Sequence, residues 1–139
     1  QATDYVFPSL EILDTRIFRK DENTGKMRTV FDTISDNAAN AGVISGVQKN
    51  DPQKFDLRRV GSIVMRNNEV EETGLGAGVL NDPITGIIWL VKRLSEYNQK
   101  ISPGEIILSG SFIRPIEARK GDEFYADFGD FGFVECKFN

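Results

Sequence analysis

The chain contains no histidine and a single cysteine, Cys136, in 139 residues. Without histidine, neither a Ser-His-Asp nor a Cys-His apparatus can be assembled from this chain. Imidazole ligation of a metal is excluded too, so any metal here sits on oxygen, which suits Mg²⁺, Mn²⁺ or Ca²⁺. One cysteine allows no internal disulfide and no structural zinc framework. A reducing cytoplasm is the expected setting. Basic residues are the minority, 17 against 21 acidic, for a net charge of −4. Phosphate binding needs a basic face, so no nucleic-acid partner is expected. The longest apolar run, residues 84–91, is broken by Thr85 and Gly86. Nothing in the sequence is long enough to span a bilayer, and no membrane partner is expected.

What remains is ordinary globular material. Hydrophobic residues make up 40% and charged residues 27%, the usual balance for a folded domain. A chain of this length can bury a real core, and residues 1–139 are expected to form one domain. The start is odd. Gln1-Ala2-Thr3-Asp4 is neither an initiator nor a signal peptide, which suggests that the sequence begins inside a longer protein.

The segment Leu10-Glu11-Ile12-Leu13 reads as a buried strand carrying one acid. Residues 19–28 are polar, with Asn23-Thr24-Gly25 as turn chemistry, and read as an exposed loop. Asp32 or Ser35 can cap a helix through Ala38, Ala39 and Ala41 that ends near Gly42 or Gly46. Residues 60–65 and 69–73 read as strands joined at Asn67-Asn68 in a hairpin. The clearest helix signal follows. Asp82 is an N-cap, Pro83 takes the first helical position, and Ile84, Ile87, Ile88, Val91 and Leu94 recur at three- and four-residue spacing. Further strands are expected at 105–108, 123–128 and 131–138, the last with Val134, Cys136 and Phe138 alternating onto one face. About six strands and two helices make a β-rich α+β domain.

Several residues could carry chemistry. A carboxylate at Glu11 in an apolar strand is costly to bury unless it is paired or holds a metal; an ion pair with Arg16 or with another arginine is the alternative. Asp32, Asp36 and Asn37 cluster at a helix start, where they either cap the helix or face a ligand. Gly74-Leu75-Gly76-Ala77-Gly78 lacks the lysine and spacing of a phosphate loop and reads as a turn or a close backbone approach. Ser109-Gly110-Ser111, followed by Arg114-Pro115, could hold a carboxylate or keto oxygen, or form a tight turn. Arg16, Arg58, Arg59, Arg114 and Arg119 are candidates to pair a carboxylate bidentately.

These residues also carry a resemblance. Residues 2–14, ending in Leu10-Glu11-Ile12-Leu13-Asp14, are one matching segment. Phe31-Asp32-Thr33-Ile34-Ser35-Asp36-Asn37-Ala38-Ala39-Asn40-Ala41-Gly42 is the most distinctive. Glu71-Glu72-Thr73-Gly74 with Gly78-Val79-Leu80-Asn81-Asp82-Pro83 is a third. Ile107-Leu108-Ser109-Gly110-Ser111-Phe112 with Arg114-Pro115 and Ala118-Arg119-Lys120-Gly121-Asp122 is the last. In order and across nearly the whole chain, this pattern resembles the hydratase–decarboxylase group of the fumarylacetoacetate hydrolase superfamily, which acts in the meta-cleavage breakdown of aromatic compounds. Within it the pattern is similar to the 2-oxo-hept-enedioate hydratases.

The resemblance implies a C-terminal domain folded as a mixed β-sandwich roll. It implies one Mg²⁺ or Mn²⁺ held by three carboxylates, of which Glu11 matches the third. The other two, on a Glu-x-Glu strand, and a catalytic lysine lie upstream in the family and outside this sequence. It further implies a small 2-oxo acid as substrate and a homo-oligomer as the assembly. In this half, Asp36 is the expected catalytic polar contact, Ser111 the expected contact to a substrate oxygen, and Arg114 the expected partner of a distal carboxylate. A 4-oxalocrotonate-type decarboxylase would share the same site, and a fragment lacking the upstream ligands would serve only in folding and assembly.

Overall fold

The fold is that of a computed structural model describing residues 2–139, so Gln1, which prompted the expectation of a longer chain, lies outside the described residues. The elements run β1 (Ser9–Leu13), α1 (Val30–Ser35), β2 (Asn40–Ser45), β3 (Gly61–Arg66), β4 (Glu69–Leu75), α2 (Pro83–Ser95), β5 (Glu123–Asp127) and β6 (Phe133–Lys137). Strands β4-β3-β5-β6 form one antiparallel sheet and β1-β2 a second.

The hairpin of β3 and β4 turns at Asn67 and Asn68, both in left-handed backbone with φ of 53° and 67°. Asparagine tolerates that region better than most residues, and two such residues in a row match the twist of the flanking strands. The core forms on one face of the larger sheet. Val64, Phe124, Ala126 and Val134 are buried there, and Leu10 of β1 and Ile44 of β2 pack onto them. The small sheet therefore lies against the large one, with β1 and β2 both touching β6. Cys136 packs at the margin of this core and is only partly buried, as its place in the alternation of β6 suggested.

Helix α2 begins as its sequence dictates. The Asp82 carboxylate accepts the Ile84 N–H at 2.9 Å and Pro83 occupies the first turn. Its apolar stripe is only half covered: Ile84, Ile88 and Val91 stay exposed, as does Trp89.

Two expected elements differ. The alanine-rich segment does not continue as helix. The helix comes one turn earlier, at α1, where Thr29 is the N-cap and Asp32 closes a capping box with it. Residues 40–45 become β2. Alanine's helix preference is worth at most about 0.7 kcal/mol per residue over ordinary residues, and five paired positions with β1 override it. Residues 105–108 form no strand. Their Ile-Ile-Leu sequence suits a sheet, but no described strand pairs with them, and β propensity without a ladder does not make a strand.

Candidate active site

Glu11 lies mid-strand on β1 and is exposed, in contrast to the buried acid expected. Its neighbours in the strand point inward, while Glu11 shares the outward face with Leu13. It is not paired with Arg16. Instead its Oε1 accepts the side-chain amide of Asn40 at 2.7 Å. No described residue engages its Oε2, so that oxygen is open to a ligand.

A bulge brings Asn40 there. From Ser9 to Ile12 the pairing steps regularly from Ser45 to Gly42, but Leu13 pairs with Asn40 and skips Ala41. In regular register Ala41 would oppose Leu13, and Asn40 would fall on the opposite face. The extra residue re-aims the Asn40 side chain onto the face of Glu11.

Asp36, just before β2, is the one buried charged residue among the described residues, at 4% exposure. Its carboxylate is fully engaged. Arg16 Nε donates to Oδ1 at 2.5 Å, while the Arg16 backbone N–H and the Thr15 hydroxyl donate to Oδ2 at 3.1 and 3.0 Å. Burial pushes this carboxyl up, but the hydrogen bonds from Arg16 and Thr15 and the guanidinium charge together hold it below its ordinary 3.8. It stays ionised at neutral pH and serves as an anchor.

The anchor secures a strained turn. Asn37, Ala38 and Ala39 all take positive φ, at 49°, 53° and 65°. For an alanine this region costs roughly 1–2 kcal/mol. Arg16 spans the turn, donating to the Asp36 carbonyl at 2.6 Å and the Asn40 carbonyl at 3.3 Å. The Asp14 N–H closes it on the Ala39 carbonyl at 2.9 Å. Such over-determination is what lets backbone strain persist.

Ser111 sits in the irregular segment after α2. It is exposed, and its hydroxyl donates to the Ile113 carbonyl at 2.9 Å. Arg114 is mostly exposed, and Glu72 of β4 accepts from its Nε at 2.9 Å and its Nη2 at 2.7 Å through a single oxygen. Between these two residues, Phe112 is pinned to the sheet at Gly74. A β-carbon at Gly74 would overlap the Phe112 carbonyl oxygen, and at Gly76 it would overlap the Leu57 carbonyl oxygen. The glycine-rich run is thus a close backbone approach, as expected, and it sets the height of Ser111 and Arg114 above the sheet.

Glu11, Ser111 and Arg114 are among the many residues that border an extended groove of about 1240 Å³, whereas Asp36 does not reach it, although Ala38 and Ala39 do. The groove floor contains Ser62, whose buried hydroxyl has no partner among the described residues. Thr15 and Ser62 carry no signal in the sequence, and Asn40 and Glu72 stand there only as members of longer matching segments. An asparagine beside an acid reveals itself only once the bulge is known.

No group of three acidic or cysteine side chains able to hold a metal occurs among the described residues. Glu11 fits as one hard oxygen ligand, accessible and with an oxygen to spare. A complete site would need further oxygens from elsewhere. No helix of the described residues is long and apolar enough to cross a membrane.

No family model matches the chain. By sequence and by fold, nevertheless, it is similar to hydratases and to a decarboxylase. It is 51% identical to the 2-oxo-hept-4-ene-1,7-dioate hydratase of Escherichia coli over 137 residues, which is 99% of this chain and 51% of that protein. It is 34% identical to the 2-keto-4-pentenoate hydratase of Paraburkholderia xenovorans (strain LB400), over 99% of this chain and 49% of the relative. Among solved structures, 4-oxalocrotonate decarboxylase from Pseudomonas putida G7, complexed with magnesium and adipate, superposes with a TM-score of 0.87 at 29% identity. That match covers 98% of this chain and 49% of the decarboxylase. The chain spans about half the length of the curated relatives it matches.

Proposed function

We propose that the protein is a divalent-metal-dependent hydratase that adds water to a 2-oxo-alkenoic acid, preferably a dicarboxylic one, in aromatic meta-cleavage degradation. The observation that carries this reading is the 51% identity, along 99% of the chain, to a hydratase of that substrate type. Mg²⁺ is the proposed metal, with Mn²⁺ as its substitute. Glu11 would hold it through its open oxygen, and when bound such a cation supplies Lewis-acid polarisation of a 2-oxo carboxylate.

This chain's own residues then bind and orient. The Ser111 hydroxyl, which donates to the Ile113 carbonyl, would turn from it to serve a substrate oxygen. Arg114 is steadied by Glu72 on one edge and keeps its Nη1 edge for a distal carboxylate, in the bidentate manner that suits guanidinium. Asp36 contributes through Arg16, because both its oxygens are already engaged. A homo-oligomer is proposed as well, supported by exposed apolar side chains such as Phe31 and Trp89. The packing of the two sheets supports a β-sandwich roll in one domain, and the free thiol of Cys136 suits a reducing cytoplasm.

The test follows the ultraviolet absorbance of the dienol form of 2-oxo-hept-4-ene-1,7-dioate with Mg²⁺ and the full-length protein. Wild type should consume it, and Glu11→Ala should lose that activity. Full activity in Glu11→Ala would remove Glu11 from the metal site. The solved decarboxylases, at 29% identity or less, support a decarboxylase reading less strongly. Release of CO₂ instead of hydration would favour it.

A further inference from the structure

The Glu11 carboxylate is exposed on a strand, where an unrestrained side chain would sample several rotamers. A ligand that must meet a cation in one geometry works better when it is held. The fold holds it through one contact, the Asn40 amide on Oε1 at 2.7 Å. That contact exists only because Ala41 is bulged out of the ladder. The bulge is in turn fixed from behind. Arg16, anchored on buried Asp36, grips the Asn40 carbonyl, and three left-handed residues deliver the chain to it.

We propose that Asn40 is a positioning residue for the metal site, orienting the Glu11 carboxylate so that one oxygen is held by the amide and the other faces the cation. The chain of dependence runs Asp36, Arg16, Asn40, Glu11. This rests on the reading of Glu11 as a metal ligand, and it gives the Arg16–Asp36 ion pair a task at the site without contact to substrate.

The experiment titrates full-length protein with Mn²⁺ alone and follows free Mn²⁺ by electron paramagnetic resonance. Wild type, Asn40→Ala, Glu11→Ala and the double variant are compared, each with its Tm. Loss of an outer hydrogen bond to a ligand typically weakens metal binding by about 10–100-fold. Asn40→Ala should do so at near wild-type Tm, and should add nothing in the Glu11→Ala background. A wild-type Mn²⁺ affinity in folded Asn40→Ala, with weak binding in Glu11→Ala, would overturn the role of Asn40 and leave the metal reading intact. Wild-type binding in Glu11→Ala would overturn both. Should Asn40→Ala not fold, Asn40→Leu, similar in shape and lacking the donor, is judged by the same criterion. Failure of both to fold would show that Asn40 supports the β1–β2 ladder instead, and would overturn the proposal.

Discussion

Gly74→Ala tests how the groove is held together. Gly74 lies on β4 opposite Ser62, and Phe112 sits directly over it. The added methyl would lie 2.7 Å from the Phe112 ring carbon Cδ2, 3.1 Å from its carbonyl carbon, and closer still to the carbonyl oxygen. Carbon atoms pack best at about 3.5–4.0 Å, so the Phe112 segment must retreat by roughly 1 Å. Two of the three obstacles are backbone atoms, which cannot simply rotate away. Overpacking of this kind costs about 1–3 kcal/mol, read as a Tm lower by several degrees. The functional effect should exceed that, because Ser111 and Arg114 flank the displaced residue. A misplacement near 1 Å can cost as much as about 10²-fold in rate, so kcat/KM should fall steeply even where the protein stays folded. Gly42→Ala is the control: no atom lies within 4 Å of its added carbon, and the variant should match wild type in Tm and turnover. Wild-type Tm and kcat/KM in Gly74→Ala would refute this account of the groove. Equal damage from Gly42→Ala would show that strand glycines matter for a reason other than contact.

Two further outcomes are expected. Asp82→Ala removes the N-cap of α2 and should cost about 1 kcal/mol; an unchanged Tm would mean that tertiary contacts, and not the cap, set where the helix starts. Stability should also fall in acid. The Thr29 backbone N–H holds Asp32 below 3.8, and the Asn67 amide does the same for Asp122. A folded value below the unfolded one means that the unfolded chain binds more protons, so the stabilisation is present above about pH 4 and is lost as pH falls through the lowered values. Tm measured from pH 6 downward should fall below about pH 4, and less steeply in Asp122→Asn. An identical slope in the variant would exclude Asp122 as a contributor.

Much of the fold was legible because its signals are local. The cap and proline of α2, the Asn67-Asn68 turn and the alternation in β6 each follow from a few adjacent residues. The segment from Asp36 to Gly42 was misread because its outcome is decided at a distance. Alanines favour helix on their own, but β1 offers them a ladder, and Arg16, some twenty residues away in sequence, pays the strain of the left-handed turn. The groove was half legible. Ser111 and Arg114 lie in a loop, as expected, but no strand leads into it, and their height depends on Gly74, whose close approach to Phe112 no sequence spacing encodes.

Glu11 was singled out because a buried acid needs compensation, and that premise fails, since Glu11 is exposed. The metal reading does not depend on that premise. A buried carboxylate is compensated either by a cation or by donors, and Asp36 takes the second route with donors on both oxygens. An exposed one avoids most of the desolvation cost, but freedom becomes its weakness as a ligand. The bulge at Ala41 answers that weakness by supplying one donor to one oxygen and leaving the second open. The two acids therefore divide the work. Asp36 is buried and spent on holding the turn, and Glu11 is exposed, half-held and available. Swapping those environments would disable both, which is why the contact between Asn40 and Glu11, more than either acid alone, is the feature on which the site reading turns.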